Sequence, residues 1–278
     1  MTNSFFIKLF HPIAVLRQAF RQHFTRPDTL LLGRSNKSDV TAIKPIQEYL
    51  TAPFAAPSPS VPVPPVPDWG PLNNEKFGCC VYSATGHAEQ AAQIVLGGKV
   101  LNVNTLATEL LSGLWGYKWY MKAYDGGKDQ GCEWVVVLNK WRLAKIGAGK
   151  AGNWVRINWT DPTEVEQVIE NLGVVLVGAQ LPETYDAQFN ASATPVWSLT
   201  GTAADNTDAG GHALAIVAYD ATYWYAISWG VVVRIERAWF AKYVDEAYSV
   251  ILPELITSGK YNNIDLATLE ADQAQLVA

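Results

Sequence analysis

The sequence predicts an α+β fold, and three observations support this prediction. Hydrophobic residues make up 49% of the 278 residues and charged residues only 17%, which is enough apolar surface for a buried core. Apolar side chains between residues 79 and 144 recur at helical spacing. From Trp154 onward, short apolar runs of strand length dominate. In a molecule with a helical half and a β half, a site commonly lies in the cleft between them.

Residues 1–50 are predicted to form a basic N-terminal extension. Residues 1–45 hold seven Lys or Arg and two Asp, whereas the whole chain has a net charge of −5. An acidic body argues against nucleic acid as a partner, and the basic extension would suit an assembly partner. Helical spacing predicts a short amphipathic helix over residues 12–24, packed on the body or a sister subunit, or lying on a membrane surface.

Residues 51–67 contain seven prolines and are predicted to be a linker or an extended surface arm. The main domain then covers residues 68–256, and residues 257–278 form a C-terminal tail. No apolar run approaches the roughly 18 residues that span a bilayer, so no transmembrane segment is expected. The N-terminus is a poor secretory signal because Lys8 and Pro12 interrupt its apolar stretch.

Periodicity and turn residues place the elements of the main domain in order. Predicted helices cover residues 79–97, 104–114, 132–144, 162–171 and 239–246, and predicted strands cover residues 154–159, 174–180, 212–219, 223–229 and 248–252. Gly97 and Gly98 are a plausible stop for the first helix. The stretch 182–210 is expected to be irregular.

The three cysteines, Cys79, Cys80 and Cys132, are an odd number, which argues against a disulfide framework, and the neighbours Cys79 and Cys80 are not expected, for geometric reasons, to bridge one another. A reducing compartment is the default, so a cytoplasmic or virion-associated protein is favoured over a secreted one. With no Cys-x-x-Cys pair and four scattered histidines, no metal site is expected, and nothing in the chain implies a cofactor.

Cys79 is the predicted nucleophile. It follows Gly78 at the start of a predicted helix, where unpaired amides and the helix dipole stabilise a thiolate. A thiolate also needs a proton carrier, usually histidine. His87 lies on the same helix, roughly 12 Å along its axis, and cannot reach Cys79. His212 opens an apolar strand 133 residues after Cys79, and it is the remaining candidate in the main domain.

Four segments resemble the papain family of cysteine peptidases. GCCVYSATGHAEQ resembles the nucleophile helix and places Cys79 at the nucleophile, with Cys80 where the family has Trp. Asp68–Trp69 resembles the start of the mature domain. GGHALAIVAYD resembles the strand that carries the catalytic His, and YWYAISWG resembles the Asn-Ser-Trp-Gly strand. The resemblance implies a two-lobe papain-like fold, with a helical lobe led by the Cys79 helix and an antiparallel β lobe carrying His212.

The resemblance also assigns further site residues, with departures from the family pattern. The oxyanion-hole Gln, six residues before the nucleophile, is Asn73 here, with Asn74 beside it. Ile227 replaces the Asn that orients the catalytic His, and Ser228 is expected on the opposite face of a regular strand. Cleft-lining residues would be Gly78, Gly211, Ser228 and Trp229, while Cys80 is expected to be structural.

The Asn-rich turn, Gly86–His87, the Gly-Gly-His of residues 210–212, Ser-Trp-Gly and DEAYSVI extend the likeness over nearly the whole chain. In these features the chain resembles a group of papain-like proteins encoded by bacteriophages and prophages. The most concrete function is a cysteine hydrolase that cleaves an amide bond, with a peptide bond favoured. The substrate would be a peptide, a protein or the peptide part of peptidoglycan. Three alternatives stay open: a catalytically silent structural or binding module such as a virion component, a cell-wall amidase, and a self-processing protein whose proline-rich segment is cut or blocks the cleft.

Overall fold

A seven-stranded sheet with a long helix packed on it forms the centre of the computed structural model, which describes residues 30–35, 43–253 and 263–277. The predicted helix over residues 12–24 lies outside these residues. The strand order is β1-β7-β2-β4-β5-β6-β3, and all neighbours are antiparallel except β3 and β6. The strands are β1 (Asn153–Arg156), β2 (Val175–Leu181), β3 (Val196–Trp197), β4 (Gly210–Tyr219), β5 (Tyr223–Ser228), β6 (Val231–Glu236) and β7 (Val244–Ile251).

Eight α-helices are described. They are α1 (Cys80–Gly97), α2 (Val103–Ser112), α3 (Tyr117–Tyr124), α4 (Trp134–Leu143), α5 (Pro162–Leu172), α6 (Thr184–Asn190), α7 (Arg237–Tyr243) and α8 (Leu266–Ala274). In this part of the chain, no helix is long and apolar enough to cross a bilayer.

The long helix α1 packs against strand β4 because its buried face carries small residues, among them Ala84, Ala88 and Ala91. It ends where the sequence predicts. Gly98 has a φ of 61°, and its amide donates to the carbonyls of Gln93 and Ile94, which satisfies the last turn.

The α+β arrangement predicted from the sequence is confirmed. A helix begins directly after Cys79, and an antiparallel sheet carries His212 on β4. The helices and strands predicted for the main domain are all present within a few residues of their expected bounds, except at the last predicted helix, residues 239–246. That helix ends at Tyr243, so Asp245 and Glu246 already belong to strand β7.

Chain segments on both sides of the predicted main domain lie against it: residues 30–35, 43–50 and 51–67 before it and residues 263–277 after it. The proline-rich arm runs over the surface, where Val61 pairs with Tyr219 and Ser58 binds the carboxylate of Glu170. Residues 30–35, called the covering segment below, pass between the start of α1 and the start of β4, as the next section describes.

Candidate active site

Cys79 and Cys80 stand side by side at the start of α1, and both are buried. Cys79 is the N-cap residue, and its thiol points towards the helical half of the molecule. Its Sγ lies 3.9 Å from the Leu72 carbonyl oxygen and 3.7 Å from Ser83 Oγ. Burial raises the pKa of the Cys79 thiol, and the contact with Ser83 lowers it only in part.

Cys80 is the first residue of α1, and its thiol has different neighbours. Burial raises its pKa to about 12, while the backbone groups of Ala213 and Gly33 and the charge of Arg34 act in the opposite direction. Ala213 follows His212 on β4, and Gly33 and Arg34 belong to the covering segment. The thiol that was expected to be structural therefore interacts with β4 and with the covering segment.

His212 is held on two sides. Its Nε2 lies 2.9 Å from Ser228 Oγ, and its ring stacks on Trp229 with centroids 4.2 Å apart and an interplanar angle of 13°. Its Nδ1 makes no hydrogen bond within the described residues. Burial, and then the charge of Arg34, lower the pKa of His212 to about 3. The imidazole is thus neutral and oriented, with one nitrogen available.

The expectation that Ser228 faces away from His212 is wrong, and the strand register explains why. Ala215 on β4 pairs with Ile227 on β5. Because side chains alternate along a strand, Ser228 lies on the other face, together with His212. Ile227 is therefore a buried core residue, and Ser228 supplies the hydrogen bond that holds the imidazole.

Trp229 reaches His212 because the chain turns sharply after β5. Trp229 has a φ of 45° and Gly230 a φ of 77°, and these two residues link the paired strands β5 and β6. Positive φ at both central residues is the requirement of the mirror-image hairpin turn that suits twisted strands. The turn brings the indole back over the imidazole.

The covering segment connects the two sides of the site. A Cβ on Gly33 would clash with the carbonyl of Gly78, the residue before Cys79. The amide of Arg34 donates to the Gly211 carbonyl oxygen at 3.1 Å, and Gly211 precedes His212. Since Gly33 and Arg34 are consecutive, with Cα atoms about 3.8 Å apart, the start of α1 and His212 lie on either side of one short peptide.

Backbone pairing holds the covering segment as a strand. The Cys132 amide donates to Gly33 O at 2.8 Å, and the Ser35 amide donates to Cys132 O at 3.3 Å. On the opposite side, Arg34 pairs with Gly211. A segment of the chain itself thus already lies between the start of α1 and the start of β4. It is this segment, and not the proline-rich arm, that lies across the site.

Arg34 anchors the covering segment in an acidic pocket. Its Nη1 lies 2.9 Å from Glu246 Oε1, and its Nη2 lies 2.7 Å from Asp245 Oδ2. Arg34 and Glu246 are both buried, at 5% and 1% exposure. Burial acts to lower the pKa of Arg34, but the two carboxylates more than offset it and raise the pKa.

The two asparagines point in different directions. Asn73 has a φ of 73°, and its Nδ2 donates to the Ala107 carbonyl oxygen on α2 at 2.7 Å. Asn74 is buried, and its Nδ2 donates to the carbonyl of Leu31 in the covering segment at 3.1 Å and to that of Phe77 at 3.1 Å. Only Asn74 therefore offers a donor to a peptide in the cleft.

Asp129 is a neighbour of the site that the sequence did not single out. Its two carboxylate oxygens each accept from the Gly78 amide at 3.1 Å, and Oδ1 also accepts from Tyr117 Oη at 2.5 Å. This contact fixes the turn that leads into Cys79. Residues 30–35, 43–253 and 263–277 contain no group of three His, Cys, Asp or Glu that could hold a metal ion.

Comparisons with solved structures find cysteine proteases of similar fold. Xylellain, a cysteine protease from Xylella fastidiosa, is 13% identical with a TM-score of 0.49, over 82% of this chain and 97% of that chain. Procathepsin B S9 from Trypanosoma congolense is 12% identical with a TM-score of 0.49, over 79% and 86%. Digestive procathepsin L 3 from Tenebrio molitor is 13% identical with a TM-score of 0.48, over 80% and 77%. No protein-family model and no curated protein sequence matches the chain.

Proposed function

We propose that this chain is a cysteine hydrolase that cleaves an amide bond, with a peptide bond as the first candidate. The observation that supports this most directly is the state of His212. Ser228 and Trp229 hold its ring, Nδ1 has no hydrogen bond in the described structure, and the cleft beside it already binds a peptide. The sequence motif assigns the nucleophile to Cys79.

The reaction follows from these groups. His212 takes the thiol proton, and the thiolate attacks the carbonyl carbon, so that the carbonyl electron pair moves to oxygen. When the tetrahedral species collapses, the C–N bond breaks and the imidazolium gives its proton to the leaving amine. Water then attacks the thioester, with His212 as the base, and the thiol is restored with release of the carboxylic acid.

The oxyanion would be stabilised by an amide at the start of α1 and by Asn74. The helix N-terminus directs unpaired N–H groups and a partial positive charge at this point. Asn74 Nδ2 already donates to a peptide carbonyl in the cleft. Asn73 would not take part, because its amide is bound to α2.

Activity would require the covering segment to leave. In the closed state burial keeps the thiols and His212 neutral, because it raises the pKa of the thiols and lowers that of the imidazole. Admission of water would relax both shifts and favour the thiolate–imidazolium pair. The chain would therefore be a closed precursor until residues 30–35 are displaced or cut.

The domain bounds, the partner, the origin and the substrate of the protein also belong to this proposal. We place the catalytic domain at residues 68–256 and regard the extension of residues 1–50 as a possible contact for an assembly partner. The sequence likeness to phage and prophage proteins favours an origin of that kind. A peptide, a protein or the peptide part of peptidoglycan would be the substrate.

The test compares full-length chains that carry Arg34→Ala, with and without His212→Gln, on casein and on purified peptidoglycan. Cleavage of casein that disappears with His212→Gln supports a peptidase. Cleavage of peptidoglycan alone reassigns the chain to a cell-wall amidase with the same machinery. If neither substrate is cut, and neither thiol at the start of α1 reacts faster with iodoacetamide than Cys132 does, the catalytic proposal is wrong and the silent module stands.

A further inference from the structure

We infer that Cys80, and not Cys79, is the nucleophile of the proposed reaction; the inference rests on the proposed function and makes its nucleophile specific. The two thiols are adjacent in sequence, but they face opposite halves of the molecule. Cys79 Sγ lies against Leu72 O and Ser83 Oγ, which belong to the loop before α1 and to α1 itself.

Backbone groups from both sides of the cleft interact with the Cys80 thiol. The backbone of Ala213, the residue after His212, is directed at it from β4, and the backbone of Gly33 is directed at it from the covering segment. The charge of Arg34 acts on both Cys80 and His212. The same basic side chain is therefore close to both proposed partners.

The position of Cys80 in α1 favours a thiolate. Both cysteines lie at the positive end of α1, Cys79 as the N-cap residue and Cys80 as the first residue of a helix of 18 residues, so Cys80 keeps the stabilisation first expected for Cys79. A side chain in the first turn experiences the positive end of the helix dipole. Once water enters the cleft, the burial that now raises the pKa of Cys80 is removed and this stabilisation remains.

The two asparagines divide in the same way as the two cysteines. Asn73 and Cys79 face the helical half, where Asn73 binds Ala107 O. Asn74 and Cys80 face the covering segment, where Asn74 binds Leu31 O. A carbonyl attacked by Cys80 would thus lie on the same side as the donor that stabilises its oxyanion.

The experiment separates the two thiols by single replacement. Full-length Cys79→Ser and Cys80→Ser chains, both with Arg34→Ala to loosen the covering segment, are treated with iodoacetamide at pH 6 and mapped by mass spectrometry. We expect the Cys79→Ser chain to keep a thiol that reacts at least about tenfold faster than Cys132 and that slows with His212→Gln. The Cys80→Ser chain should lose that reaction and should not cleave casein.

The opposite pattern would overturn the inference and leave the proposed function standing. In that case Cys80→Ser would keep the fast, His212-dependent thiol and Cys79→Ser would lose it. If the Arg34→Ala chain with both cysteines present has no thiol whose alkylation rate depends on His212, the proposed function fails together with the inference. Circular dichroism of both serine variants confirms that each chain is folded, and serine differs from cysteine by one atom.

Independently, we infer that the acidic pocket around Arg34 is a binding site for a basic side chain of the substrate. The carboxylates of Glu246 and Asp245 and the space next to Gly178 form this pocket. A Cβ on Gly178 would lie 2.6 Å from Glu246 Oε1 and 2.8 Å from Arg34 Cδ, so the glycine keeps the space for the arginine stem. Tyr248 Oη donates to Glu246 Oε2 at 2.8 Å and fixes the carboxylate.

An empty pocket would leave a buried carboxylate without its cation, which is costly. A peptide that replaces the covering segment between Cys132 and Gly211 would place a side chain in the same space. Arginine or lysine restores the ion pair, whereas a neutral side chain does not. The pocket would thus select peptides with a basic residue at this point.

The test does not require catalysis. Full-length Arg34→Ala is heated with propylguanidinium, which matches the missing side chain, and with propylurea, its neutral counterpart. We expect only the cation to raise Tm, by about 3 °C at ten times its Kd, and Glu246→Gln to abolish the effect. Equal effects of the two compounds would overturn the inference. If Arg34→Ala folds poorly, the yield of refolding with each compound gives the same comparison.

Discussion

The neighbourhoods of His87 and His212 look alike at first. Both side chains are 1% exposed, and each has one nitrogen in a hydrogen bond of about the same length, 3.0 Å from His87 Nδ1 to Gln90 and 2.9 Å from His212 Nε2 to Ser228. The second nitrogen of each ring has no hydrogen bond within the described residues. Burial lowers the pKa of His87 to about 4 and that of His212 to about 3.

What differs is the surroundings. His87 lies inside the helical half, where its ring meets Trp69 edge-on with centroids 5.9 Å apart. His212 lies on β4 beside a peptide held by backbone hydrogen bonds, with Arg34 close enough to affect its pKa. Burial and a lowered pKa are therefore shared by the two histidines. What sets His212 apart is the covering segment beside it, in which the Arg34 amide donates to the Gly211 carbonyl oxygen.

The largest effect on activity should come from replacing His212, whereas replacing His87 should have none. In the Arg34→Ala chain, His212→Gln should lower kcat/KM on casein peptides by about a thousandfold, because it removes the proton carrier. His87→Gln should leave kcat/KM unchanged. Equal losses in the two variants would contradict the assignment of His212.

His87 should affect the stability of the fold in acid, although it should not affect activity. The folded pKa of His87, about 4, lies below the ordinary value of 6.5. The contribution of the neutral His87 side chain to the free energy of unfolding is therefore fully present above pH 6.5 and is lost as the pH falls towards 4. At pH 4.5 this amounts to about 2–3 kcal/mol of the free energy of unfolding. Urea titrations between pH 7.5 and 4.5 should show a shallower acid loss in His87→Gln. An unchanged slope would refute the buried neutral state of His87.

Opening the cleft should affect only the site that contains His212. Arg34→Ala breaks a buried ion pair and should raise the rate of iodoacetamide labelling at the start of α1 by about tenfold or more. Lys44→Ala, which removes a partly exposed ion pair with Asp272 at 2.8 Å, is the matched control and should not change labelling. Equal labelling in all three chains would show that the covering segment does not control access.

The smallest effect should come from the residue that positions His212. Ser228→Ala removes one hydrogen bond and should lower kcat/KM by about 2- to 10-fold. It should also shift the acidic limb of the pH–rate profile, which a purely structural change would not do. Ser228→Thr keeps the hydroxyl and should restore both. A pH profile identical in all three chains would rule out the positioning role.

Much of the fold was predictable because its signals are local. The glycines after α1 and α5 and the apolar strands set most element bounds. Helix α3 and strand β6 were not predicted, although the two-residue Trp229–Gly230 turn followed by Val231–Ile235 is a hairpin signal. In the stretch expected to be irregular, α6 and β3 pack around Trp229 through Tyr185, Phe189 and Trp197.

The site was less predictable because it depends on register and on a distant segment. Motif spacing identified His212, but the hydrogen bond of Ser228 requires the pairing of β4 with β5. Which of two adjacent cysteines faces the cleft depends on where α1 begins, to within one residue. The covering segment precedes Cys79 by more than forty residues, and only the folded chain brings Gly33 against Gly78.

The most direct test of the central claim is the pH dependence of thiol alkylation at the start of α1. It is measured in the full-length Arg34→Ala chain with and without His212→Gln. A Cys–His pair predicts a thiol that reacts well below its ordinary pKa of about 8.5 and that returns towards ordinary behaviour with His212→Gln. A thiol whose reactivity follows an ordinary pKa in both chains would contradict the proposed hydrolase.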